Sequence, residues 1–315
     1  MLDVARGEAS TAPLLGRGPE LAKILSYIEA PRAHRVLILA GPIGSGRTTL
    51  IRAVLARAHG FHRYYLDMSP AAKPLGMEGV HELLNCYKRE SECIDEVVQE
   101  IVRKADHGTA KLLIAVDGLC CVRRYGECLT PHLVRGLARL VEAYPERVRV
   151  VISLDDQESF LELGGIAEYT DVLVVAGLPR EAALELVKQE AERMGVNIPD
   201  NLAEDIVAAT GGLPYHILIV VDEYAGRLDA WMRDVAEKLR WKLAIIASEL
   251  GVNVRDVAKA LLDLVDRPMS SIPRQSYLLL RYALRENIVY LAPGGIVRLQ
   301  LPAYRGILKA VAYGA

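Results

Sequence analysis

Gly41-Pro42-Ile43-Gly44-Ser45-Gly46-Arg47-Thr48 is the stretch on which the reading of this chain turns. Glycine, four residues, glycine, a cation and Ser/Thr is the spacing of a phosphate-binding P-loop, with Arg47 standing where lysine is expected. Glycines let the backbone wrap a phosphate with its N–H groups pointing inward. A helix beginning at the loop adds the positive end of its dipole. Upstream, Val36-Leu37-Ile38-Leu39-Ala40 is an apolar run suited to a strand buried on both faces. Downstream, Leu50, Ile51, Val54 and Leu55 recur at helical spacing. Gly41, Pro42, Gly44, Ser45, Gly46, Arg47, Thr48 and Thr49 are therefore candidate nucleotide-binding residues, with the Thr48 hydroxyl a candidate Mg²⁺ ligand. A Gly-rich turn without a ligand is the competing reading. Arginine is planar and forked where lysine is a point charge, so Arg47 still attracts phosphate but alters the geometry available for hydrolysis.

The pattern around this unit alternates strand and helix. Tyr64 to Met68, Lys111 to Asp117, Val148 to Leu154 and Val172 to Ala176 read as strands; Val97 to Val102 and Leu133 to Val141 read as helices. Such alternation predicts an α/β fold with a largely parallel sheet and helices on both faces. Beyond Gly177 the pattern is helical only, with helices expected over 181–194, 201–209 and 216–225. The last 85 residues read as helices over 254–265 and 274–287, then a hairpin turning at Pro293-Gly294-Gly295. That order suggests a winged helix-turn-helix. The expected division is a lead-in over 1–12, a P-loop nucleotide-binding domain over 13–177, a helical lid over 178–230 and a winged-helix domain over 231–315.

Asp117, closing an apolar strand, is the natural partner of Thr48 for Mg²⁺, held through water at the carboxyl edge of a sheet. An ordinary strand-terminal Asp is the alternative. The next residue is Gly118, so no carboxylate follows Asp117 to orient an attacking water. Glu127, Asp155 and Asp156 are replacements at a distance, each equally readable as a surface acid.

Half of the 315 residues are hydrophobic and a quarter are charged, as in a globular protein. No run of eighteen apolar residues occurs and the N-terminus has no signal-peptide core, so a cytoplasmic protein is expected. Asn and Gln are scarce beside Arg, Glu, Val and Leu, a thermophile-like balance. The five cysteines, Cys86, Cys93, Cys120, Cys121 and Cys128, form no CxxC pair. They read as small buried hydrophobes in a reducing compartment, with zinc or disulfides as alternatives. The formal net charge of −2 hides an asymmetry. Residues 231–315 carry 13 Lys/Arg against 7 Asp/Glu, and the rest 25 against 33. A basic tail on an acidic body suggests a polyanionic partner.

Taken in order, these segments resemble the AAA+-related archaeal ATPases of the STAND group that end in a winged helix. The archaeal origin-recognition initiators are a second resemblance. Gly16-Arg17, with Glu20-Leu21, is similar to the segment that lies over adenine in that group. The P-loop and Asp117 follow, Ser153 stands where the family carries its polar sensor, and Gly212-Leu213-Pro214-Tyr215 is similar to a motif whose proline, here Pro214, packs on the base. The resemblance implies ATP or ADP with Mg²⁺, homo- or hetero-oligomers through the ATPase domain, and an arginine finger for which Arg123, Arg124, Arg147 and Arg149 are candidates. Three readings follow: an ATP-binding switch with weak or absent hydrolysis and a DNA- or partner-binding tail, a working ATPase in DNA replication, repair or transposition, and a non-catalytic subunit of a larger complex. Arg274, Gln275, Arg281 and Arg285 are the DNA-facing candidates on the recognition helix, with Arg298 near the wing. Leu278, Leu279 and Leu284 are expected to face inward.

Overall fold

The computed structural model describes residues 14–68, 111–120, 123–124, 127–128 and 130–314. The lead-in, the helix expected near Val97 to Val102, and Cys86, Cys93 and Cys121 lie outside these residues. So do the side chains of Arg123, Arg124, Glu127 and Cys128. The chain forms two compact units, one of residues 1–40 and 47–173, the other of 41–46 and 174–315.

The first unit is built on a five-stranded sheet. Its elements are α1 (Gly18–Glu29), β1 (Val36–Ala40), α2 (Arg47–Arg57), β2 (Phe61–Asp67), β3 (Lys111–Leu119), the short β4 (Arg123–Arg124) and β5 (Glu127–Cys128), α3 (Thr130–Ala143), β6 (Val148–Leu154), α4 (Gln157–Glu162) and β7 (Thr170–Val174). The sheet order is β2-β3-β6-β1-β7, with β2–β3, β3–β6 and β1–β6 all parallel. Central β1 and β6 are buried along their whole length, which explains why they read as unbroken apolar runs. Edge strand β2 is mostly exposed or half-buried, with Leu66 its one buried residue. Helix α3 turns Leu133, Val134, Leu137, Leu140 and Val141 onto the sheet, one helical stripe buried as its spacing predicts. This is a P-loop NTPase fold.

Arg149 breaks the apolar run of β6 and is wholly buried. It is a structural clamp and neither a solvated arginine nor a finger. Its Nε donates to the Ile28 carbonyl at 3.1 Å, its Nη1 to the Pro145 and Val148 carbonyls at 2.8 Å, and its Nη2 to the Ala30 carbonyl. The end of α1 is thereby supplied with donors for carbonyls that a helix C-terminus leaves unpaired.

The second unit carries α5 (Arg180–Met194), α6 (Asp200–Thr210), α7 (Pro214–Asp222), α8 (Leu228–Leu250), α9 (Val254–Leu264), α10 (Tyr277–Arg285), β8 (Val289–Ala292), β9 (Ile296–Leu299) and α11 (Tyr304–Tyr313). Helices α5, α6 and α8 each end on a left-handed glycine, Gly195, Gly211 and Gly251, the usual helix stop. The boundary expected at residue 231 falls inside α8, where Trp231 is buried. No glycine or proline interrupts that stretch, so nothing breaks the helix. β8 and β9 pair antiparallel, Val289 opposite Leu299, as the glycine turn predicts. The helix expected over 274–287 begins as a single 3₁₀ turn, Arg274–Ser276, and ends near Asn287, whose φ is 51°. Asparagine tolerates that conformation better than most residues. Leu279, Leu280, Ala283 and Leu284 form the buried face of α10, whereas Leu278 is 53% exposed. Leu278 lies one step, about 100°, off that stripe, so its expected inward position is corrected.

Candidate functional site

The Gly41–Gly46 loop uses positive φ at all three glycines, 137° at Gly41, 81° at Gly44 and 93° at Gly46. A side chain at Gly41 would put its Cβ 2.2 Å from the Val175 carbonyl oxygen, and one at Gly44 would stand 2.6 Å from the Tyr215 Cβ. The Gly46 Cβ position is open space. Three loop carbonyls are engaged: Pro42 accepts from Ser45 N–H at 3.2 Å, Gly44 from Tyr215 N–H at 3.2 Å, and Ile43 from Gln300 Nε2 at 2.9 Å. Pro42 and Ser45 are buried. Pro214 opens α7 after the left-handed pair Gly211-Gly212, which places the following Tyr215 N–H on Gly44. The Gly-Leu-Pro turn and the P-loop thus meet within the second unit. His216, next in line, is half-buried, with its ring edge-to-face against Tyr215 and Trp231. Burial, with lesser help from Lys238 and Lys242, pushes its pKa down to about 4.

In the first unit Asp117 gathers hydroxyls from three elements. Its carboxylate is buried and accepts from Thr48 Oγ1 at 3.2 Å, from Tyr65 OH at 2.8 Å and from Ser153 Oγ. Parallel pairing sets Asp67 beside Asp117 and Ala115 beside both Tyr65 and Val151, which carries Tyr65 and Ser153 toward the same strand end. Thr48 and Asp117, expected as partners, lie together, and Ser153, expected from the resemblance as a sensor, bonds the same carboxylate. Tyr65 was not foreseen, since an aromatic on an edge strand carries no local signal of a carboxylate partner. Burial first, and then the Asp117 bond, holds its phenol at about 12. Thr49 is exposed and stands outside this cluster.

Gly118 lies in the left-handed region at φ 74°, where the β3–β6 register shifts, and its N–H donates to Ser153 Oγ at 2.9 Å. Arg47 opens α2, nearly buried, with its Nη2 3.9 Å from Asp155 Oδ1. Burial lowers the Arg47 pKa, opposed by the charges of Asp155 and Asp117. Asp155 is raised by burial, with Arg47 pulling the other way and Asp117, Asp156 and Asp67 adding to the rise. Asp156, the neighbouring acid, is the N-cap of α4 and bonds both Ser159 N–H and Ser159 Oγ.

Gly16 turns at φ 62° and Arg17 precedes α1 with its side chain buried, Nη1 donating to Glu20 Oε1 at 2.8 Å. In the C-terminal helices Arg274 and Gln275 are exposed and Arg281 is half-buried. Arg285 pairs with Glu286 at 3.3 Å and lies over the Tyr282 ring. Arg298 and Arg305 both bind Asp266, so part of the basic balance there is spent within the molecule.

Hydroxyls of Thr48, Tyr65 and Ser153 and the Asp117 carboxylate are hard oxygen donors of the kind that suits Mg²⁺. Thr48 and Asp117 would hold the ion, which when bound would supply positive charge against the phosphates. Among the described residues no group of His, Cys, Asp and Glu forms a metal cluster of its own. No described helix is long and apolar enough to cross a membrane.

A family described as Novel STAND NTPase 1 matches residues 7–239, and the chain belongs to that family: it is a P-loop NTPase. Among solved structures, the chain is similar to a Walker-type ATPase of Pyrococcus abyssi. The identity is 14%, over 94% of this chain and 96% of that one, with a TM-score of 0.57. Weaker likenesses include the ORC2 protein of Aeropyrum pernix, 14% identical over 99% and 95% with a TM-score of 0.45. The RuvB branch-migration motor of Thermotoga maritima is 14% identical over 89% and 91%, at 0.44. No curated protein matches the chain.

Proposed function

We propose that this NTPase binds ATP or ADP with Mg²⁺ and hydrolyses ATP slowly, so that the bound nucleotide acts as a switch. The observation that carries this reading is Gly118 at φ 74°. The residue following the strand-end Asp117 has no side chain, and its backbone sits where other residues are strained. Position 118 therefore supplies no carboxylate for the attacking water. Arg47 replaces the compact lysine ammonium with a fork that stands 3.9 Å from Asp155. The family supports nucleotide binding; the weak turnover is the proposal. Its roles for Gly16, Arg17 and Pro214 at the base, Ser153 as sensor, and assembly through the nucleotide-binding region belong to the same reading, as does a cytoplasmic, archaeal setting.

Titration with a fluorescent ATP analogue, with and without Mg²⁺, followed by phosphate release under saturating ATP, tests it. Binding with turnover well below about 10 per second, the usual enzyme median, is the expected result. Turnover near that median refutes the slow switch. Absence of binding removes the nucleotide reading itself.

The order α9, α10, β8, β9, α11 favours a winged helix as the output module, with duplex DNA as its partner. Exposed Arg274 and Gln275, in the 3₁₀ turn just before α10, are suited to phosphates and base edges. Arg281→Glu with Arg285→Glu should weaken duplex binding at every sequence while ATP binding holds, and the parent affinity should fall steeply with salt. A labelled duplex in fluorescence anisotropy at two salt concentrations reads both. Salt-insensitive or absent binding would make the module a protein-docking one.

A further inference from the structure

The reaction of a P-loop NTPase needs a group to orient and deprotonate water, and position 118 supplies none. Asp117 is unsuited as well. It is 3% exposed and already accepts three hydroxyl hydrogen bonds, which holds it as a ligand platform. Asp156 is committed to capping α4. Asp155 differs from both. It follows β6 directly, and its N–H donates to the Leu119 carbonyl at 2.8 Å, which fixes it beside the end of the strand that carries Asp117. Its side chain is half-buried, and its Oδ1 is 3.9 Å from Arg47 Nη2. Arg47 occupies the cation position of the phosphate loop, so a carboxylate within 4 Å of it stands in reach of the terminal phosphate's surroundings.

We propose that Asp155 is the catalytic base of this chain, accepting the proton of the water that attacks the terminal phosphate of the nucleotide. The proposal rests on the nucleotide-binding reading above. The water oxygen bonds to the γ-phosphorus as the β–γ bridging P–O bond breaks, and that bond's electron pair stays on the diphosphate. One water proton passes to the Asp155 carboxylate and then to solvent. The products are nucleoside diphosphate, inorganic phosphate and one proton. Arg47 has a second duty in this arrangement, holding the base in place through its guanidinium.

The test compares full-length parent, Asp155→Asn, Asp155→Glu and Asp156→Asn, each checked for folding by circular dichroism. ATP affinity is measured with a fluorescent analogue, and the chemical step by single-turnover phosphate release. Asp155→Asn should lose about a hundredfold in single-turnover rate, within the range general bases contribute, with ATP affinity inside threefold of the parent. Asp155→Glu should restore at least a tenth of the rate. Asp156→Asn, which still caps the helix, should match the parent in both. Parent-like hydrolysis by Asp155→Asn overturns the proposal, as does a parent that binds ATP without hydrolysing it. A rate that falls only in step with ATP affinity also overturns it, because Asp155 would then serve only to hold Arg47. Failure of the parent to bind ATP is a different result: it removes the nucleotide reading first.

Discussion

Replacing Gly118 probes the site without touching a contact side chain. Gly118 sits at φ 74°, a conformation that costs a residue with a Cβ about 1–2 kcal/mol. Its N–H donates to Ser153 Oγ, and a backbone donor survives substitution in place, so Gly118→Ala is expected to lose that strain energy at the least. At about 3 kcal/mol per molar of urea, the midpoint should fall by about 0.3–0.7 M. Both tryptophans, Trp231 and Trp241, lie in the second unit, so indole emission would miss the change; circular dichroism follows the sheet and helices of the first unit directly. Gly118→Glu should lose more, because position 118 is buried and the added carboxylate would be taken out of water beside Asp117. It should not raise turnover, even combined with Arg47→Lys, because the added carboxylate leaves a strained backbone rather than a relaxed strand. An unchanged midpoint for Gly118→Ala, or faster hydrolysis by Gly118→Glu, would refute the argument that backbone conformation excludes an acid at this position.

His216 titrates near 4 in the folded chain against about 6.5 unfolded. The folded state therefore binds fewer protons, and its contribution is full above about pH 6.5 and lost as pH falls toward 4. About 2–3 kcal/mol should be missing at pH 4.5 relative to 7.5. Emission of Trp231, 6.0 Å away ring to ring, follows this unfolding, and His216→Gln should flatten the dependence. Arg149→Ala should cost about 3 kcal/mol or more, because buried carbonyls of α1 and the loop before β6 lose charged donors. Thermal unfolding by circular dichroism measures that loss. Gly46→Val should abolish binding of a fluorescent ATP analogue. The φ of 93° there strains a branched residue, and the added side chain fills space that is open beside the loop.

The apolar runs of β1, β3 and β6, the helical spacing beyond them and the glycine spacing of the loop are local patterns, and each states its own structure. Period, length and turn chemistry act over a few residues, so the parallel sheet, the helical second half and the β8–β9 hairpin were legible in the sequence. So was the nearness of Thr48 and Asp117, because a P-loop helix and a strand-end acid meet at the carboxyl edge of such a sheet; the bond from Ser153 to Asp117 was not. What only the tertiary structure decided lies between segments far apart in the chain. Tyr65 on Asp117 depends on strand register. The burial of Arg149 depends on where α1 ends. The bond from Gln300 to the Ile43 carbonyl joins residues 257 positions apart. The left-handed backbone of Gly118 and the standing of Asp155 beside Arg47 are of the same kind. Burial, pairing partner and φ at a given residue are set by the elements packed around it, and no window of neighbouring residues holds that information.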